Sequence, residues 1–176
     1  MSGAEQPEFH ADELLAALLG REVRFLVVGG IAARLHGATR TTNDLDVCVP
    51  WARENFDRLA AALEALDARL DLPAELGEFE VRPSSELLGR TSMTRWRTRA
   101  GILDILREIP AGERGAPLDY GQLEQQAVRV RAAESTVLVA ALDDIIASKQ
   151  HAGRAKDHEA LPELYALRNK AARKLP

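Results

Sequence analysis

The chain has 176 residues, about one domain on the usual scale of roughly 100 to 200 residues. With 46% hydrophobic and 28% charged residues it reads as an ordinary folded globular protein, which excludes disordered, collagen-like and coiled-coil classes. A net charge of -4 makes the whole molecule a poor attractor for polyanions, so nucleic acid could bind only a local patch.

In chain order, residues 11–19 place Leu14, Leu15, Leu18 and Leu19 at helical spacing, and Gly20 stops the run. Residues 23–28 read as a short buried strand that Gly29-Gly30 turns sharply into a helix over 31–36, ended by Gly37. The polar connection Arg40-Thr41-Thr42-Asn43 leads to a strand over 44–49. Its alternation puts Leu45, Val47 and Val49 on one face and Asp44, Asp46 and Cys48 on the other. Pro50 closes that strand, and Phe56, Leu59, Ala60, Leu63 and Leu66 predict a helix over 55–70. From 78 to 106 the period falls to two, which predicts antiparallel strands with Ala100-Gly101 as a hairpin turn.

Residues 112–115, between Pro110 and Pro117, read as a loop, and 127–132 as one more strand. An amphipathic helix is predicted over 137–149 through Leu138, Leu142, Ile145 and Ile146, broken by Gly153. A last helix from Arg154 is expected to be interrupted or restarted at Pro162 and to fray into a basic tail. The expected fold is α/β (or α+β), a small mixed β-sheet flanked by helices. Cys48, the one cysteine, excludes an intramolecular disulfide and a multi-thiolate zinc site and fits a reducing cytoplasm. Residues 1–9 carry no basic start with an apolar stretch behind it, and no run of about 18 apolar residues occurs, so neither secretion nor a membrane partner is expected.

Two carboxylates at i and i+2 of a strand share a face and repel each other unless a cation lies between them. Asp44 and Asp46 are such a pair, and hard oxygen ligands of this kind suit Mg²⁺, which keeps water and substrate phosphates in its shell. The Gly29-Gly30 turn, bare of side chains, lets backbone N–H groups approach an oxyanion closely. Asp104 is the lone charge in Ile102-Leu103-Asp104-Ile105-Leu106, a costly position without a metal or a partner such as Arg99 or Arg107. Only four of 23 basic residues are Lys, and Lys149 finishes an otherwise apolar helix face, where a point charge suits a phosphate.

An apolar residue, Gly-Gly, thirteen residues, then Asp-apolar-Asp-apolar resembles the signature of the nucleotidyltransferase superfamily typified by DNA polymerase β. Arg40-Thr41-Thr42 ahead of the Asp pair, Leu142-Asp-Asp-Ile-Ile ahead of Lys149, and Arg154-x-Lys-Asp157 resemble motifs of its bacterial AbiEii-like branch. The resemblance spans residues 28–157 and implies a nucleotidyltransferase core over 1–135, with 136–176 as a short C-terminal helical segment packed on it. It implies an enzyme that moves an NMP group from an NTP to an acceptor hydroxyl and releases pyrophosphate. Asp44, Asp46 and Asp104 would be catalytic and would ligate two Mg²⁺ ions. Gly29, Gly30, Arg40, Thr42, Lys149 and Asp157 would bind the nucleotide, Asp157 beside Lys149 or the nucleotide itself.

The same branch implies a toxin–antitoxin or phage-defence setting, with tRNA or a partner protein as acceptor and a cognate antitoxin or toxin as partner. Antibiotic nucleotidyltransferases of the aminoglycoside or lincosamide type share the core, and a non-catalytic relative that binds nucleotide or a partner is the other alternative. Longer AbiEii-like toxins carry a C-terminal helical region mostly absent here, so a second copy of the chain or a separate partner would complete the acceptor surface. Many members have Ser where this chain has Gly30, which leaves only backbone donors at that point. Arg95, Arg97 and Arg99 alternate along one strand face; they form either a stripe that tracks phosphates or, as we favour, a solvated face paired with acidic residues. His36 reads as a helix-end residue rather than a metal ligand.

Overall fold

The computed structural model describes residues 8–73, 75, 79–132 and 134–173. The apolar stripe of the first helix, α1 (Ala11–Gly20), buries Leu14, Leu15 and Leu18. Three fully buried residues, β1 (Leu26–Val28), then run straight into α2 (Gly29–Leu35), two residues earlier than the helix predicted over 31–36, and the φ of +64 at Gly29 makes the sharp turn between them. β2 (Asp44–Cys48) follows the polar connection, with Leu45 and Val47 buried on one face and Asp44 and Asp46 facing a pocket on the other.

α3 (Arg53–Ala65) is shorter than the helix predicted over 55–70. Asp67 adopts φ +52, which no helix tolerates, and Arg69–Leu70 become β3, paired with Trp96 and Arg97. The period-two stretch is also interrupted. Phe79 is exposed and no strand forms there; Ser84 accepts from the Leu87 N–H and opens a short helix, α4 (Ser85–Arg90). Glu78 lies outside the described residues. β4 (Met93–Thr98) and β5 (Gly101–Leu106) then make the expected antiparallel hairpin. On β4, Thr94, Trp96 and Thr98 point into the core, and the Trp96 indole donates to Thr94 Oγ1 at 2.8 Å.

A small ladder of β6 (Glu108–Ile109) and β7 (Leu118–Asp119) encloses the loop read at 112–115, which holds one 3-10 turn. α5 (Tyr120–Glu124) is an element beyond those the sequence predicts; Asp119 and Gln122 close a reciprocal cap on it. β8 (Val128–Ala132) occurs as expected, but the helix predicted over 137–149 is corrected at its start. Residues Ser135–Val139 form β9, and the helix, α6, is Leu142–Ala152. Val137 and Val139 alternate inward, so the β-branched side chains go to the sheet rather than to a helix stripe. Gly153, in the left-handed conformation, ends α6 as expected. α7 (Ala155–Ala172) runs unbroken through Pro162, contrary to expectation; Pro162 is exposed while Ala160, Leu161 and Leu164 are buried on the opposite side. The residues of the expected frayed tail beyond 173 lie outside the described set.

Seven of the nine strands among the described residues form one mixed sheet in the order β3-β4-β5-β2-β1-β9-β8, with β2–β5 and β1–β9 parallel and the other pairs antiparallel. α3 packs on α1 and on α4, and α6 packs on α7 and α2. Fully buried leucines such as Leu45, Leu59, Leu63 and Leu103 join these layers, each contributing roughly 1.5–3 kcal/mol of burial. No helix among the described residues is long and apolar enough to cross a membrane.

Candidate active site

The central pairing of the sheet assembles the site. β2 and β5 run parallel with Asp46 beside Asp104, and β1 pairs Val28 with Asp46. Paired residues of neighbouring strands project to the same face, so one row across the sheet reads Arg95, Asp104, Asp46, Val28, with Asp44 two residues from Asp46 on the same side. The glycine turn follows Val28 directly and is set against Asp46, whose carboxylate lies within reach of the Gly30 N–H. A pocket of about 350 Å³ opens there, lined by Gly29, Gly30, Arg40, Thr42, Asp44, Asp46, Asp104 and Lys149. Eight of the nine residues singled out in the sequence therefore meet at one cavity. The ninth, Asp157, borders an adjoining smaller pocket together with Lys149.

Burial raises the Asp46 carboxyl to about 7, and the charges of Asp44 and Asp104 push in the same direction. Asp104 is raised to about 6, chiefly by burial, with the Arg95 guanidinium pulling the other way. Its Oδ2 accepts from Arg95 Nη1 at 2.7 Å, whereas its buried Oδ1 has no partner among the described residues. Asp44 is held by Thr42, whose Oγ1 donates to Asp44 Oδ1 at 2.7 Å.

On the facing wall, Lys149 Nζ sits 3.3 Å from Asp157 Oδ1, and Arg154 Nε donates to Asp157 Oδ2 at 2.7 Å. Asp157 is fully buried. Burial opposes its ionisation, but the hydrogen bonds from Arg154 and Lys149 outweigh that and hold its carboxyl below the usual range. Arg40 is paired with Glu159 at 2.6 Å.

Three pocket-lining cations carried no site role in the sequence reading: Arg95, Arg154 and Lys156. The last two lie in the Arg154-x-Lys-Asp157 motif itself, which carries the signal; the sequence shows Arg95 only as one arginine of a stripe, because it is strand register that makes it a neighbour of Asp104. The arginine stripe is ion-paired, Arg97 with Asp71 at 2.6 Å and Arg99 with Glu13 at 2.8 Å. Asp104 is partnered by Arg95 rather than by Arg99 or Arg107. His36 caps the end of α2, with its Nε2 2.8 Å from the Ala140 carbonyl.

Among the described residues no three His, Cys, Asp or Glu side chains form a preformed metal cage. The donors nonetheless fit a hard cation: two neighbouring carboxylates, a third with an orphaned buried oxygen, and an open pocket for water or phosphate.

Neither a protein-family model nor a curated protein sequence matches the chain. Solved structures do resemble it. The lincosamide antibiotic adenylyltransferase LnuA, in its lincomycin-bound form, superposes with a TM-score of 0.61 at 15% identity, covering 91% of this chain and 99% of LnuA. ANT(2'')-Ia in complex with adenylyl-2''-tobramycin gives 0.54 at 19% identity, over 94% of this chain and 96% of the other. The solution structure of the same antibiotic-resistance factor gives 0.54 at 17%, over 93% and 89%. The mixed α/β architecture is thus the nucleotidyltransferase fold. The AbiEii-like branch has no counterpart among these similar structures.

Proposed function

We propose that the protein is a Mg²⁺-dependent nucleotidyltransferase that moves an NMP group from an NTP to an acceptor hydroxyl. The observation that carries this reading is the register that sets Asp46 beside Asp104, with Asp44 adjacent, across one pocket from Lys149 and Arg154. In this reading the acceptor oxygen bonds to the α-phosphorus as the bond to the bridging oxygen breaks, and pyrophosphate leaves. Asp104, with a free buried oxygen and a carboxyl raised to about 6, takes the hydroxyl proton. Lys149 and Arg154 hold the terminal phosphates, and Asp157 fixes both cations in place. Arg40, Thr42 and the backbone of Gly29 and Gly30 flank the phosphates or sugar. Asp44, Asp46 and Asp104 would hold Mg²⁺, which when bound supplies charge stabilisation to the transferring phosphoryl group.

The AbiEii-like resemblance supports tRNA or a partner protein as acceptor, in a toxin–antitoxin or phage-defence setting within the cytoplasm. A second reading, a small-molecule acceptor, draws on the ion pairs of Arg97 and Arg99, which leave that strand face little free positive charge for a polyanion. The test is incubation with Mg²⁺ and each α-labelled NTP in turn, against cellular RNA, total protein and a panel of hydroxyl-bearing small molecules. Label transfer that is lost in Asp44→Asn/Asp46→Asn supports the transferase and names base and acceptor class together. Nucleotide binding with no transfer to any acceptor supports a non-catalytic binding module instead.

A further inference from the structure

Arg95 stands inside the carboxylate cluster rather than at its rim. It is register-paired with Asp104 across β4 and β5. Its Nη1 lies 2.7 Å from Asp104 Oδ2 and 3.7 Å from Asp44 Oδ2, so one guanidinium spans the two carboxylates that flank the site. On its other side, Nε lies 3.4 Å from Asp71 Oδ2. Arg97 occupies the opposite oxygen of Asp71 through both Nε and Nη2, which leaves Oδ2 turned to Arg95. The Arg95 side chain is 40% exposed, so solvent reaches it in the cluster.

We infer that Arg95 is a placeholder cation: in the ligand-free protein it neutralises the Asp44–Asp104 side of the cluster, and a divalent ion displaces it onto Asp71 to engage Asp104. This rests on the reading of Asp44, Asp46 and Asp104 as the metal-binding set. Arginine and ion compete for one carboxylate, so each weakens the other by the same factor. The cluster therefore holds a bare divalent ion weakly and takes it better when nucleotide phosphates add ligands and negative charge. Asp71 is a seat already formed, so the exchange moves one side chain and leaves the strands in place.

The test uses Mn²⁺ as the probe on the full chain without nucleotide, with free Mn²⁺ read by electron paramagnetic resonance in wild type, Arg95→Met, Arg95→Gln and Asp46→Asn. Arg95→Gln keeps a donor for Asp104 without the charge, in case Arg95→Met folds poorly. The expected result is loss of binding in Asp46→Asn and binding tighter than wild type by about tenfold in the neutral Arg95 variants, at the low end of the range for coupled sites. The rise in Tm on adding Mn²⁺ should be larger in those variants as well. Neutral variants that bind no tighter than wild type, while Asp46→Asn still abolishes binding, overturn the placeholder and leave the metal-binding reading standing. Mn²⁺ binding that ignores Asp46→Asn, or is absent from every protein, overturns both.

Discussion

Gly29 leaves no space for a side chain in front of Asp46: a Cβ at position 29 would run into Asp46 Oδ2. The turn and the carboxylate are thus one steric unit, and φ +64 at Gly29 adds a backbone conformation that L-residues avoid. Gly29→Ala should lower stability by about 2 kcal/mol or more, from left-handed backbone cost plus displacement of the carboxylate. Urea unfolding measures this. Mn²⁺ affinity of the folded fraction should fall with it, and an unchanged affinity would mean that Asp46 does not need the turn.

Metal-free stability should depend on pH in a direction set by the carboxylates. In the unfolded chain Asp46 and Asp104 titrate near 4. Folded, they are raised to about 7 and about 6, so the native state binds their protons more tightly. Their contribution is therefore favourable near about pH 4 and is lost as pH rises through about 6 to 7. Asp46→Asn removes most of this loss and should raise Tm at about pH 8 by on the order of 5 °C. Saturating Mg²⁺ should flatten the wild-type profile. A wild-type Tm that climbs steadily from about pH 4 to about pH 8 without metal would contradict this assignment.

Gly30 meets a different neighbour. A Cβ there would lie 2.7 Å from Thr42 Oγ1 and 2.9 Å from Thr42 Cβ, so the Thr42 side chain fills the space that a serine at position 30 would need. Gly30→Ser alone should destabilise the protein and loosen Thr42 from Asp44. Combining it with Thr42→Gly, which removes both clashing atoms, should recover part of the lost Tm, and the double mutant is the diagnostic comparison. Equal losses in the single and double mutants would show that the clash is not the cause.

Asp157 and Lys149 should separate stability from binding. Removing a buried partner leaves an uncompensated charge, so Asp157→Ala should cost about 3–5 kcal/mol. Lys149→Met leaves Asp157 paired with Arg154 and should unfold near the wild-type denaturant midpoint, while nucleotide affinity falls at least tenfold. Calorimetric titration with a non-hydrolysable NTP, alongside denaturant curves, distinguishes the two. A Lys149→Met variant that binds nucleotide as wild type does would remove Lys149 from the phosphate site.

The helices that the sequence reading misplaced fail for identifiable reasons. Val137, Leu138 and Val139 are apolar enough to satisfy a helix stripe and a strand alternation together, and pairing with β1 and β8 decides for the strand. The end of α3 is set by Asp67 and by the pairing of Arg69 and Leu70 with β4, a partner more than 25 residues away. At Pro162, burial of Leu161 and Leu164 holds a helix that the imino acid would break in an isolated peptide. The caps of α4 and α5, at Ser84 and Asp119, are short local signals inside stretches that otherwise read as strand or loop.

The features legible in the chain alone are local and steric: the glycine turn after an apolar strand, the two-residue alternation that puts Asp44 and Asp46 on one face, and the lone carboxylate of Asp104 in an apolar strand. Each is written within a few neighbouring residues, because backbone geometry acts over that range. The tertiary structure decided which of these meet. Asp46 and Asp104 are 58 residues apart, and only the parallel register of β2 on β5 makes them neighbours. The antiparallel register of β4 on β5 likewise turns Arg95 from one arginine of a stripe into the cation inside the cluster. A slip of one residue would send these side chains to the other face, so the chemistry depends on strand packing across the core.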